Sequence, residues 1–134
     1  MLAASFLAAH GAEFVVIGGC ALRMYGRDHV PADLDVVPEP SLLNLRRLFD
    51  ALSTLGTVGG EWRPGDHALE TRDVMPKITP IGSIDVLLAR GREGYVSLAY
   101  GALSMPVSGH GVRVAAIDEV ERLRVRFGKV PVGG

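Results

Sequence analysis

The stretch from Val15 to Val37, VVIGGCALRMYGRDHVPADLDVV, constrains the fold more than any other part of the chain. Its first residues, Val15–Ile17, form a continuous apolar run, which is typical of a strand buried on both faces. Gly18 and Gly19 then interrupt the run, and glycine tolerates backbone angles that other residues avoid. We predict a strand, a glycine turn and a short helix over Cys20–Tyr25, followed by a loop and a second strand.

The second strand of this stretch carries two acidic residues, Asp33 and Asp35. Strand side chains alternate between faces, so these two carboxylates share one face while Leu34 and Val36 share the other. The Cα atoms of the two acids are expected roughly 7 Å apart, at about 3.3 Å per residue. Magnesium prefers carboxylates together with phosphate oxygens and water. The pair therefore indicates a site for a hard divalent cation.

The glycine turn suits an anion, because the start of a helix offers backbone N–H groups and the positive end of a dipole. We expect the backbone of Gly18, Gly19 and Cys20 to bind phosphate groups. A plain structural turn is the alternative interpretation. A Rossmann dinucleotide site is disfavoured, because the G-x-G-x-x-G pattern is absent.

A third acid, Asp85, lies within an apolar run that reads as a strand over Ile84–Leu88. A buried carboxylate without a partner is costly. Asp85 therefore either forms an ion pair with an arginine or lysine, or joins the other two acids at a metal site.

Seven residues in a fixed order carry a family resemblance: Gly18, Gly19, Ala21, Gly26, Asp33, Asp35 and Asp85. This pattern resembles the nucleotidyltransferase superfamily, which has the polymerase-beta-like fold. The Gly-Gly form is similar to the AbiEii-type toxin branch and related small bacterial proteins. The resemblance covers roughly residues 13–127 and implies an α/β (α+β) fold, a mixed sheet with helices packed on it.

The resemblance also implies a reaction, the transfer of a nucleoside monophosphate from an NTP to a hydroxyl on RNA, a protein or a small molecule. It implies magnesium or manganese ions and a role in a toxin–antitoxin system. The implied metal ligands and catalytic residues are Asp33, Asp35 and Asp85, and Asp85 would also help to deprotonate the acceptor hydroxyl. The implied nucleotide-binding residues are Gly18, Gly19 and Cys20.

A second function remains open, that of a catalytically weak binding module or toxin–antitoxin component with the same fold. Relatives often have an arginine and a threonine in the loop where this chain has His29 and Pro31. Cys20 lacks a hydroxyl that could contact a phosphate. These three departures favour the binding module, whereas the three retained acids favour the enzyme.

Composition limits the function classes. The chain has 134 residues, 48 % of them hydrophobic, and a net charge of −1. We predict one domain over residues 1–128 and a loose tail over 129–134. The lack of a basic excess disfavours purely electrostatic nucleic-acid binding. One cysteine fits a reducing compartment, and no apolar run approaches the ~18 residues of a membrane span. We expect a cytoplasmic protein with no membrane association, and either a protein partner or a homo-oligomer.

The remaining elements are predicted from periodicity and turn residues. A helix over residues 41–55 has an apolar stripe of leucines that begins at Leu42. Two strands are expected to meet at Gly82–Ser83, and a later hairpin to turn around residues 108–111. Asp118 is expected to cap the last helix. Residues 57–74 are a candidate substrate-facing segment or a surface connection.

Overall fold

The computed structural model describes residues 2–27, 33–56, 74–88 and 94–126, in which helices alternate with the strands of one mixed sheet. The helices are α1 (Leu2–Ala9), α2 (Gly18–Met24), α3 (Leu42–Leu55), α4 (Tyr95–Tyr100) and α5 (Ile117–Arg126). The strands are β1 (Phe14–Ile17), β2 (Asp33–Pro38), β3 (Val74–Thr79), β4 (Gly82–Leu87), β5 (Leu103–Val107) and β6 (His110–Val114). The predicted fold class is confirmed.

The six strands lie in the order β3-β4-β2-β1-β6-β5. In the middle of the sheet, β1 is antiparallel to β2, while β1 pairs with β6 and β2 pairs with β4 in parallel. Two antiparallel hairpins, β3–β4 and β5–β6, form the outer parts of the sheet. The stretch Val15 to Val37 thus supplies two neighbouring central strands and the short helix between them.

The central strands are apolar because both faces of the sheet are covered. Val15, Val16 and Val36 have no solvent exposure. The helices contribute fully buried leucines to the same core, among them Leu7 of α1 and Leu48 of α3. In the described ranges, no helix has both the length and the apolar character needed to cross a membrane.

Helix α3 differs from its prediction at its first turn. Ser41 caps the helix, and its Oγ accepts a hydrogen bond from the N–H of Asn44 at 3.2 Å. Leu42 is 51 % exposed and does not belong to the buried stripe. The reason is that the Asn44 side chain occupies the core position in this turn, so the stripe begins at Leu45.

One predicted turn is displaced, and the other lies within the predicted residues 108–111. The β3–β4 turn lies at Pro80–Ile81 and not at Gly82–Ser83, because the Thr79 hydroxyl closes it by donating to the carbonyl oxygen of Gly82 at 2.7 Å. The β5–β6 turn contains only Ser108 and Gly109, whose φ angles of 49° and 84° are those of a tight type I′ turn.

Helix α5 begins one residue earlier than its predicted cap. Asp118 lies inside the first turn, where an acidic side chain interacts favourably with the helix dipole.

Candidate functional site

The three predicted acids lie on one face of the sheet. Strands β2 and β4 pair in parallel, with Asp35 opposite Asp85 and Asp33 opposite Ser83. Laterally paired residues project from the same face, and so do residues two apart along a strand. Asp33, Asp35 and Asp85 therefore share a face, which is the arrangement that the sequence predicted for a common site.

Asp35 is the most deeply buried of the three, with 4 % of its surface exposed, whereas Asp33 and Asp85 are half-buried. In the β1–β2 pair, Asp35 lies opposite Ile17, the residue immediately before Gly18. A Cβ atom on Gly18 would lie 2.2 Å from the Oδ2 atom of Asp35. Because Gly18 has no side chain, the carboxylate can lie directly against the turn.

The backbone of Gly18 gives a second reason for glycine at this position. Its φ angle of 72° lies in the left-handed region, which strongly favours glycine. The helix begins at this residue and not at Cys20 as predicted, so Gly18, Gly19 and Cys20 form the first turn of α2. The N–H groups of a first turn have no acceptor within their own helix. Phosphate binding by these groups stays a prediction.

The donor set fits a hard cation, because three carboxylates offer only oxygen ligands. The Asp35 carboxylate occupies the space that a Cβ atom on Gly18 would need, so it lies against the first turn of α2. Within the described ranges, however, no group of three or more His, Cys, Asp or Glu side chains lies close enough to hold a metal ion. The register brings the acids to one face, and their convergence on one ion stays a prediction.

The Cys20 side chain contacts other residues of the protein and does not line an exposed surface. It is buried, and Sγ donates a hydrogen bond to the backbone carbonyl oxygen of Asp33 at 3.3 Å. Burial raises the pKa of the thiol, and the negative charges of Asp35 and Asp33 raise it further. The thiol is therefore held in its neutral form and connects the first turn of α2 to the start of β2.

The other end of α2 is fixed by Tyr25. Its hydroxyl donates to the carbonyl oxygen of Ala115 at 2.7 Å, and the N–H of Ala115 in turn donates to Val16 at 3.1 Å. Burial raises the pKa of the Tyr25 phenol, and the charge of Asp118 raises it further. The tyrosine consequently stays a hydrogen-bond donor and holds α2 against the end of β6.

The opposite end of the β1–β2 pair is joined by Asn44, which is 4 % exposed. Its side-chain oxygen accepts from the N–H of Glu13 at 2.7 Å. Its amide nitrogen donates to the carbonyl oxygens of Glu13 at 2.8 Å and Glu39 at 2.7 Å. Helix α3 is thereby bonded to both strands that lead to the candidate site.

Sequence reasoning missed the contributions of Tyr25 and Asn44. The signal for Asn44 was weak, a single amide among the leucines of a helix start. Tyr25 gave none, because its acceptor is 90 residues away in the chain. His29, Pro31 and residues 57–73 lie outside the described residues, so the predictions that concern them stay predictions.

Comparison with known proteins supports the fold. No protein-family model matches the chain, and no curated protein matches it. A solved structure that it resembles is the crystal structure of a "putative nucleotidyltransferase" from Thermotoga maritima, with a TM-score of 0.63. The two proteins are 10 % identical, and the match covers 95 % of this chain and 81 % of the other. The chain therefore has a nucleotidyltransferase-type fold.

Proposed function

We propose that the protein is a metal-dependent nucleotidyltransferase, which transfers a nucleoside monophosphate from an NTP to a hydroxyl group on RNA, a protein or a small molecule. The observation that carries the proposal is the shared face of Asp33, Asp35 and Asp85 beside a glycine turn, on a fold of this type. Like charges in neighbouring strands repel one another. A cation bound on this face would offset the repulsion, which supports a metal site there.

The roles follow from the positions of the acids. Asp35 lies against Gly18, and Asp33 lies two residues away, so these two carboxylates would hold a cation that also carries the NTP phosphates. Asp85 comes from the neighbouring strand and would help to remove the proton from the acceptor hydroxyl. When bound, magnesium or manganese would stabilise the attacking and leaving oxygens of the displacement. The backbone of Gly18, Gly19 and Cys20 would bind the remaining phosphates.

A binding module with the same fold is the second candidate. Two observations favour it: the Cys20 thiol is already bonded to Asp33, and the described acids are not closed around one ion position. In this case the chain would bind a protein partner, as a component of a toxin–antitoxin pair. The resemblance of the Gly-Gly pattern to the AbiEii-type branch supports such a context for either candidate.

The two candidates are separated by measuring NTP affinity and label transfer side by side. The wild type would be incubated with each labelled NTP, magnesium and cell lysate. In an enzyme, Asp85→Ala keeps much of the NTP affinity, because Asp33 and Asp35 remain. Transfer should fall by at least 10²-fold, the lower end of what general-base assistance contributes.

Asp50→Asn is the matched control, because Asp50 is an exposed carboxylate on α3. It should leave both affinity and transfer unchanged. Transfer that survives Asp85→Ala would remove Asp85 from the mechanism. A wild type that transfers none of the four nucleotides and still binds a protein partner would establish the second candidate instead.

A further inference from the structure

The two edge strands of the described sheet share a feature, a proline within each strand. Strands β3 and β5 are the outermost strands among the described residues. Pro76 lies in β3 and Pro106 lies in β5. A proline nitrogen carries no hydrogen, so its position in the ladder decides which hydrogen bonds the strand can form.

The register places Pro106 with its nitrogen on the side of β5 that faces away from β6. Val107 and His110 flank the type I′ turn, and such a flanking pair exchanges its hydrogen bonds. Bonded and non-bonded pairs alternate along an antiparallel ladder. The next pair, Pro106 opposite Gly111, is therefore non-bonded. The backbone groups of residue 106 point away from β6, and so do those of Ser104.

The same alternation applies to the other edge. Thr79 and Gly82 flank the two-residue turn of the β3–β4 hairpin, and Pro76 lies opposite Asp85, three pairs further along. Pro76 is then also at an outward-facing position. Both edges thus lack a hydrogen-bond donor at a place where an added strand would need one.

Strand β5 relies more on its proline than β3 does to avoid pairing with another chain. Its sequence, LSMPV, contains no charged residue, whereas β3 also carries Lys77. No residue of β5 is buried, and Leu103 is 52 % exposed. Charges and prolines are the usual means by which edge strands avoid pairing with other chains. On β5, proline is the one of these two that is present.

We propose that Pro106 prevents a second copy of this chain from pairing with it through β5. Two antiparallel β5 strands centred on Met105 would place Ser104 of one copy opposite residue 106 of the other, twice by symmetry. Each such pair could exchange two hydrogen bonds. Proline removes one bond from each, so half of the four bonds are lost.

The test is the self-association of Pro106→Val in the full chain, measured by sedimentation velocity over a range of concentrations. Valine restores the missing N–H and favours strands. The dissociation constant of its dimer should be at least about tenfold lower than that of any wild-type dimer. Met105→Val is the matched control. It adds the same residue one position away, where the N–H already bonds to β6, and should associate like the wild type.

A double variant moves the proline from residue 106 to residue 104 and keeps the number of missing hydrogen bonds unchanged. Ser104→Pro combined with Pro106→Val again leaves half of the four bonds and should return association to the wild-type level. The proposal is overturned if Pro106→Val associates no more than the wild type, or if the double variant associates as strongly as the single one.

Hydrogen exchange on the unmodified chain provides a test that does not depend on how a variant folds. The amide of Ser104 points away from β6 and should exchange much faster than the amide of Met105, which bonds to β6. Equal protection of the two amides would mean that the edge is already covered, and this result would also overturn the proposal.

Discussion

The two ends of the β1–β2 pair both bury a polar side chain, but they do so in different ways. At one end, Asn44 forms three hydrogen bonds of 2.7–2.8 Å to the backbone of Glu13 and Glu39, which adjoin the two strands. At the other end, Asp35 lies against Gly18 and next to the acids Asp33 and Asp85. Both residues are 4 % exposed. Burial alone therefore does not distinguish them.

The difference lies in charge and in neighbours. A neutral amide whose donors and acceptor are matched by backbone groups stabilises the fold and needs nothing further. A carboxylate placed among other carboxylates has an electrostatic cost that a bound cation would relieve. The Asn44 end therefore fixes the two strands, and the Asp35 end holds the three acids of the proposed site.

The largest expected effect concerns the Asn44 end. Asn44→Leu leaves two part-buried groups without their partner, the N–H of Glu13 and the carbonyl group of Glu39, while the Glu13 carbonyl oxygen keeps its bond from the N–H of Glu39. Each such group costs about 1–3 kcal/mol, so the free energy of unfolding should fall by about 4 kcal/mol. Urea denaturation of the variant and of Leu43→Ala, an exposed neighbour, would measure this. A loss below about 1 kcal/mol would mean that water replaces the amide.

The next effect concerns the close approach of Gly18 to Asp35. Gly18→Ala introduces a Cβ 2.2 Å from a carboxylate oxygen and forces alanine into a left-handed backbone. We expect a loss of about 3 kcal/mol in the free energy of unfolding.

Gly56→Ala is the matched control for this prediction. Its φ angle of 81° is similar, and a Cβ there meets nothing within 4 Å. It should cost only about 1 kcal/mol. Equal costs for the two variants would show that the carboxylate moves aside freely, and the comparison between the two ends would lose its basis.

A smaller effect of opposite sign is expected at Asp35 itself. Asp35→Asn removes one of the neighbouring like charges, so the protein without metal should be equally stable or more stable, by up to about 1 kcal/mol. We expect magnesium or manganese to raise the melting temperature of the wild type, because the ion would bind only the folded site, and the variant should lose this shift. An unchanged metal response would place the cation elsewhere.

The smallest effect concerns pH. The pKa of Cys20 lies above the ordinary thiol value of 9.0 in the folded protein, so the folded state holds this proton more tightly than the unfolded state. Stability should therefore fall as the pH rises above about 9. Cys20→Ala should show a shallower fall between pH 8 and 10 in thermal melts. A fall of the same slope would assign the pH dependence to other groups.

The sequence predicted much of this molecule because the relevant signals were local. The apolar run Val15–Ile17, the two glycines and the alternation of Asp33 and Asp35 define a strand, a turn and a strand without reference to other residues. Asp85 was identified because a carboxylate is conspicuous in an apolar strand. The β3–β4 turn was not predicted correctly, since the Thr79 hydroxyl decides it and gave no clear signal.

Only the tertiary structure decided what depends on contacts between distant residues. The parallel register of β2 and β4 places Asp85 beside Asp35, and a shift of one residue would have sent Asp85 to the other face. The Tyr25–Ala115 and Asn44–Glu13 hydrogen bonds join residues 90 and 31 positions apart. Sequence periodicity reports which face a residue occupies, but it carries no information about which strand becomes its neighbour.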